Sequence, residues 1–124
     1  VPLALPALVR AQKIQRRAAR VGFDWQDING VMAKLEEELQ ELNQALNDNQ
    51  TAVRVQEELG DLLFSCVNLA RFLDADAETL LRQAIGKFSS RFRKVENMAA
   101  EQNKNLREFS LEQLEAFWLK AKQS

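Results

Sequence analysis

Both prolines of this 124-residue chain, Pro2 and Pro6, fall within the first six residues, and only four glycines are scattered through the rest. After Pro6 nothing locks the backbone out of helical geometry, and the remaining stretches are rich in Ala, Leu, Glu, Gln, Lys and Arg, all good helix formers. The expected fold class is therefore all-α, an antiparallel bundle of about five helices. They are predicted over Pro6 to Val21, Ile28 to Leu46, Ala52 to Phe72, Glu78 to Gln102 and Leu111 to Lys122. The breaks have chemical reasons: Gly22 suits a C-terminal cap, Asn47-Asp48-Asn49 a turn, Asp74 or Asp76 an N-cap, and Asn103 to Asn105 a further stop. Ser110 with Gln113 makes a capping box for the last helix.

Composition removes several kinds of chemistry. There is no histidine and one cysteine, so a Cys/His zinc site, a Ser-His-Asp triad and imidazole acid-base catalysis are excluded within the chain. Cys66, set in the apolar run LLFSCVNLA, is expected to be a buried, reduced thiol of a cytoplasmic protein. Lys plus Arg (17) nearly balances Asp plus Glu (18), leaving no overall basic field for nucleic acid; Lys13, Arg16, Arg17 and Arg20 are only a local cluster. The opening VPLALPALVR lacks a basic leader and soon meets charge, so neither a signal peptide nor a membrane span is expected. A start on Val rather than Met reads as a piece of something longer, with residues 1–5 as linker and 1–124 as one domain. No GxGxxG or GxxxxGK[ST] loop is present, so phosphate binding would fall to metal and side chains.

Carboxylates supply the pattern that points to a site. In the second helix Ile28, Val31, Leu35, Leu39, Leu42 and Leu46 form an apolar stripe, with Glu38 and Glu41 about 60° and 120° to one side of it. The third helix is apolar on nearly every side from Leu59 to Leu73, as a central buried helix is, except for the line Glu58, Asp61, Ser65, Asn68. Antiparallel packing would bring Glu38, Glu41, Glu58 and Asp61 to one point as oxygen ligands for Mg²⁺. The fourth helix carries Leu80, Leu81, Ala84, Ile85, Phe88, Phe92, Val95 and Ala99 as its stripe, bordered by Lys87, Arg91 and Lys94. Taken alone, the glutamate run is an ordinary solvated face, and the basic column an ordinary soluble border. Taken together they match a magnesium-bound polyphosphate. Trp25 and Trp118 have two readings, packing or a π-face on which a nucleobase stacks.

The order Glu37-Glu38-x-x-Glu41 then Glu58-x-x-Asp61 resembles the EExxE…ExxD signature of the all-α nucleoside triphosphate pyrophosphohydrolases, and MazG in particular. AQKIQRRAARVGFDW, EELGDLLFSCVNLAR and KFSSRFRKVE resemble the second, catalytic domain of tandem bacterial MazG proteins, although only one such domain is present here. The resemblance implies Mg²⁺-dependent cleavage of a nucleoside triphosphate between the α and β phosphates, and a homodimer as the active unit. It implies Glu38, Glu41, Glu58 and Asp61 as metal ligands, Lys87 and Arg91 on the phosphates, and Trp118 near the nucleotide. Lys94 and Asn68 join the expected substrate contacts. Glu41, at the solvent edge, is the expected base, with Glu38 and Glu37 as further catalytic candidates. The alternatives are a relative narrowed to dUTP, dCTP or phosphoribosyl-ATP, and a non-enzymatic helical dimerisation module.

Overall fold

The computed structural model describes every residue from Val1 to Ser124. Five α-helices follow one another without strands: α1 Ala7–Arg20, α2 Ile28–Asn47, α3 Ala52–Phe72, α4 Ala77–Glu101 and α5 Leu111–Gln123, with a 3₁₀ turn Leu106–Glu108 before the last. That short turn is absent from the sequence expectation; the five helices otherwise agree with it to within one residue at each end. No helix is long and apolar enough to cross a membrane.

Local chemistry sets the ends. The Asp27 carboxylate accepts from the Asn29 and Gly30 N–H groups, and Thr51 Oγ1 from Arg54 N–H, which caps α2 and α3. Ser110 and Gln113 form the expected reciprocal capping box. At the other ends Gly22, Asn49, Asp74 and Asn103 take up positive φ. Gly22 N–H donates to Ala19 O while Phe23 N–H reaches back to Ala18 O, the Schellman closure that needs a left-handed residue. Asp76, not Asp74, accepts from Thr79 N–H at the start of α4.

The chain forms two compact units, Val1–Leu80 and Leu81–Ser124. In the first, α3 packs on α2 along one side and on α1 along another. Val67, Ala70 and Ala77 are buried together, covered by Leu8 and Ala11. Gln12 ties α1 to the turn after α3: its Nε2 donates to Ala75 O and its Oε1 accepts from Ala77 N–H, each at 2.8 Å. In the second unit Val95, Ala99, Phe109 and Ala121 are buried, with Phe109 edge-on to Phe117.

Four burial expectations are corrected. Cys66 is exposed, not buried. The third helix is not enclosed: Leu59, Leu63, Phe64 and Leu73 are exposed, because α1 and α2 cover only two of its sides. The apolar stripe of α2 is only partly its packed face: Val31 is buried and Leu35 and Leu42 are half-buried. The fully buried line is Val31, Glu38, Ala45, at seven-residue steps, whereas Ile28, Leu39 and Leu46 are exposed. The helix is thus rotated by roughly 60° from the orientation that the stripe alone would select. The apolar face of α4 is likewise open at Leu81, Ile85, Phe88 and Phe92.

Candidate metal centre

That rotation of α2 is what builds the site. It turns Glu38 into the seam with α3, where Glu58 and Ser65 are also buried one heptad step apart. Glu38 and Glu58 retain 5% and 2% of their exposure. One carboxylate oxygen from each of Glu38, Glu58 and Asp61 lies within 4.8 Å of the others, and a second such group joins Glu37, Glu38 and Glu41. Four predicted ligands therefore meet as two overlapping triads sharing Glu38. Glu38 and Glu58 form the floor, Glu41 is half-buried, and Asp61 and Glu37 are exposed.

Each buried carboxylate is half-satisfied. Lys34 Nζ lies 3.0 Å from Glu38 Oε1, and Arg54 Nη2 lies 2.5 Å from Glu58 Oε1, both from one turn earlier on the same helix. The second oxygen of each, Glu38 Oε2 and Glu58 Oε2, is buried with no hydrogen-bond donor. An unpartnered buried carboxylate oxygen is costly, and a hard cation bound there removes the cost. The electrostatics agree. The negative charge of Glu38, then loss of solvation, then a shared hydrogen bond with Glu58 raise the Glu41 carboxyl above its ordinary value. Lys34 is raised in turn, chiefly by its hydrogen bond to Glu38. Five carboxylates with two cations among them carry an excess of negative charge, and this donor set fits a divalent metal ion. Beside it a cleft of about 170 Å³ is lined by Glu41, Gln44, Asp48, Gln50, Arg54 and Glu58.

The remaining predicted residues lie elsewhere. Asn68, on the same polar line of α3, sits two turns past Asp61, where its Oδ1 accepts from Arg71 Nη2 at 2.9 Å. Trp25 packs over Gly30 at the start of α2, so close that a Cβ there would meet its ring at 3.1 Å, and it keeps 41% of its exposure. Lys87, Arg91, Lys94 and Trp118 belong to the second unit. There Lys87 is exposed, Arg91 is half-buried, and Lys94 Nζ donates to the Ser124 carbonyl and hydroxyl. Trp118 packs on Phe88 with ring centroids 5.2 Å apart and lines an apolar groove with Phe92, Val95, Leu106 and Leu114. Sequence reasoning missed Lys34 and Arg54, although each stands four residues before a predicted ligand, the spacing of a helical ion pair. It also missed the buried amides Gln12 and Gln15, which carry no comparable signal.

The family model of the MazG nucleotide pyrophosphohydrolase domain matches residues 26–96, a span holding every carboxylate of the centre. The chain belongs to the MazG family. It is 48% identical over 95% of its length to the nucleoside triphosphate pyrophosphohydrolase/pyrophosphatase MazG of Thermotoga maritima. With the nucleoside triphosphate pyrophosphohydrolase of Escherichia coli K12 the identity is 44% over 98%. The Bacillus subtilis protein YabN is 38% identical across the whole chain. The chain spans about half the length of the first two relatives, 45% and 47%, and a quarter of the third. Within this MazG chain the carboxylate seam between α2 and α3 is the part with the chemistry to hold a metal.

Proposed function

We propose that this chain is a Mg²⁺-dependent nucleoside triphosphate pyrophosphohydrolase that cleaves between the α and β phosphates to release a nucleoside monophosphate and pyrophosphate. The observation that carries the reading is the pair of buried, donorless oxygens on Glu38 and Glu58, beside Asp61 and Glu41. The names of the Thermotoga and Escherichia relatives support it. Glu38, Glu41, Glu58 and Asp61 would hold Mg²⁺, which when bound neutralises phosphate charge and acidifies water.

The chain's own groups account for the rest. Glu41, whose proton affinity is raised by its acidic neighbours, takes the proton of the attacking water, with Glu37 at the rim as a further candidate. The water oxygen bonds to the α phosphorus; the bond from that phosphorus to the α-β bridging oxygen breaks, and pyrophosphate leaves with the electron pair. Lys87, Arg91 and Lys94 serve as outer-phosphate ligands and Trp118 as a nucleotide contact, on the strength of charge, π-surface and family resemblance. The exposed apolar stripe Ile28, Leu39, Leu46 supports a homodimer of this chain.

The test is a panel of ribo- and deoxynucleoside triphosphates with Mg²⁺ and identified products. Monophosphate and pyrophosphate are expected across several bases; diphosphate and orthophosphate would overturn the bond assignment. Turnover confined to one deoxynucleotide or to phosphoribosyl-ATP would point to the narrow-substrate relative.

A further inference from the structure

We infer that the cleft between α1, the loop after it and α3 is the base-recognition subsite of the nucleotide site, with Gln15 and Asn68 reading the base edge. This rests on the pyrophosphohydrolase reading and adds to it a place and a chemistry for specificity. The cleft holds about 250 Å³, just below the range for drug-sized small-molecule sites, which suits one ring system and not a whole nucleotide. Phe23 and Phe64 bring phenyl rings to its lining, Ile14 an alkyl group, and Gln15, Asn68 and Arg71 the polar groups.

The polar groups are incompletely used. Gln15, 5% exposed, donates from Nε2 to Phe64 O at 3.0 Å, and its Oε1 is buried with no donor. Asn68 spends its Oδ1 on Arg71, while its Nδ2 donates to nothing in the chain. Arg71 Nε is also buried without an acceptor. Buried polar atoms left unpaired are rare in native structures, and here an acceptor, Gln15 Oε1, and a donor, Arg71 Nε, are buried and spare on residues of one aromatic-lined cleft, beside the half-buried Asn68 amide. A nucleobase complements that combination: flat π-faces for the phenyl rings, and an edge on which an N–H donor adjoins an acceptor.

Position supports the same occupant. Asp61, Phe64, Asn68 and Arg71 share one face of α3 within about 80° of arc. The cleft starts one turn beyond Asp61, at a rise of about 4.5 Å, and reaches Asn68 after about 10 Å. A nucleotide with its phosphates at the carboxylates thus directs its base along this face. Arg71 holds the wall in place, because its bidentate grip on Asp24 anchors the loop carrying Phe23.

The experiment compares nucleoside triphosphates with inorganic tripolyphosphate, which has no base, as ligands of the full chain with Mg²⁺. Gln15→Met and Asn68→Ala are each expected to weaken nucleoside triphosphate binding about tenfold and to leave tripolyphosphate binding unchanged. Equal losses for both ligands, or none, would overturn the inference. In parallel, free nucleosides are titrated into the unaltered chain in EDTA while the side-chain amide resonances of Gln15 and Asn68 are followed. Shifts at those amides are expected, and their absence overturns the subsite whether or not the variants fold. If tripolyphosphate fails to bind the unaltered chain while the amides still respond to nucleosides, the phosphate-site reading falls and the base subsite stands.

Discussion

Arg71 on α3 grips Asp24, 47 residues away in the loop after α1, through two hydrogen bonds of 2.6 and 3.1 Å, one from each terminal guanidinium nitrogen. A planar fork meeting a carboxylate edge to edge is a geometry that lysine cannot supply. Arg71→Lys is therefore expected to cost about 1 to 3 kcal/mol, read by urea unfolding. The Arg71 hydrogen bond holds Asp24 below its ordinary value of 3.8, so the pair's contribution is complete above that pH and is lost as acid takes the carboxylate through its lowered value. The difference between Asp24→Asn and the unaltered chain should therefore shrink only below pH 3.8. A constant difference down to pH 2 would contradict the pairing.

Glu38→Gln and Asp61→Asn should each reduce pyrophosphate release by at least about a hundredfold and abolish stabilisation by added Mg²⁺. Thermal melting with and without the metal separates loss of the site from loss of the fold. The fold should survive Glu38→Gln, since that change removes one charge from an overcharged seam.

Glu41 makes a prediction of opposite sign to Asp24. Its folded carboxyl binds a proton more tightly than an ordinary glutamate, mainly because of the Glu38 charge, so ionising it costs the folded state stability. That cost is absent below the ordinary value of 4.5 and grows as the pH rises above it. Glu41→Gln should raise the melting temperature at pH 7 without metal and leave it unchanged at pH 4, while lowering turnover. An equal gain at both pH values would show that charge repulsion is not the cause.

Gln12 is 1% exposed and spends its whole amide on the α3–α4 turn. Gln12→Leu fills the space but strands the Ala77 N–H and the Ala75 carbonyl, at an expected cost of about 2 to 4 kcal/mol by urea unfolding. A loss below 0.5 kcal/mol or so would show that water replaces both bonds.

Leu39 lies at the middle of the exposed α2 stripe. Leu39→Asp is expected to leave the helix intact and to shift the proposed homodimer to monomer in sedimentation velocity. An unchanged sedimentation coefficient would remove α2 from the interface.

Much of this was legible in the residues. Gly22, Asn49 and Ser110 act on neighbours within five positions, so these helix ends follow from local hydrogen bonding and sterics alone, as do the Asp27 and Thr51 caps that the structure adds. The site was legible in its members but not in its order: Glu38 and Glu58 emerge as the buried floor, whereas Asp61 is exposed and Asn68 belongs to another cleft. Cys66 was misjudged because an apolar neighbourhood in sequence says nothing about which side of α3 another helix covers.

By itself, then, the sequence determined five helices, several of their ends, and acids spaced three apart on α2 and α3, since all of these depend on backbone geometry repeated every few residues. Only the tertiary structure decided that α2 lays Val31, Glu38 and Ala45 against α3 and leaves Ile28, Leu39 and Leu46 open. The physical reason is that a helix may rotate about its own axis without altering one of its internal hydrogen bonds. Its orientation is chosen by the neighbours it packs on, and that choice turned a row of glutamates into a buried carboxylate seam that fits a metal ion.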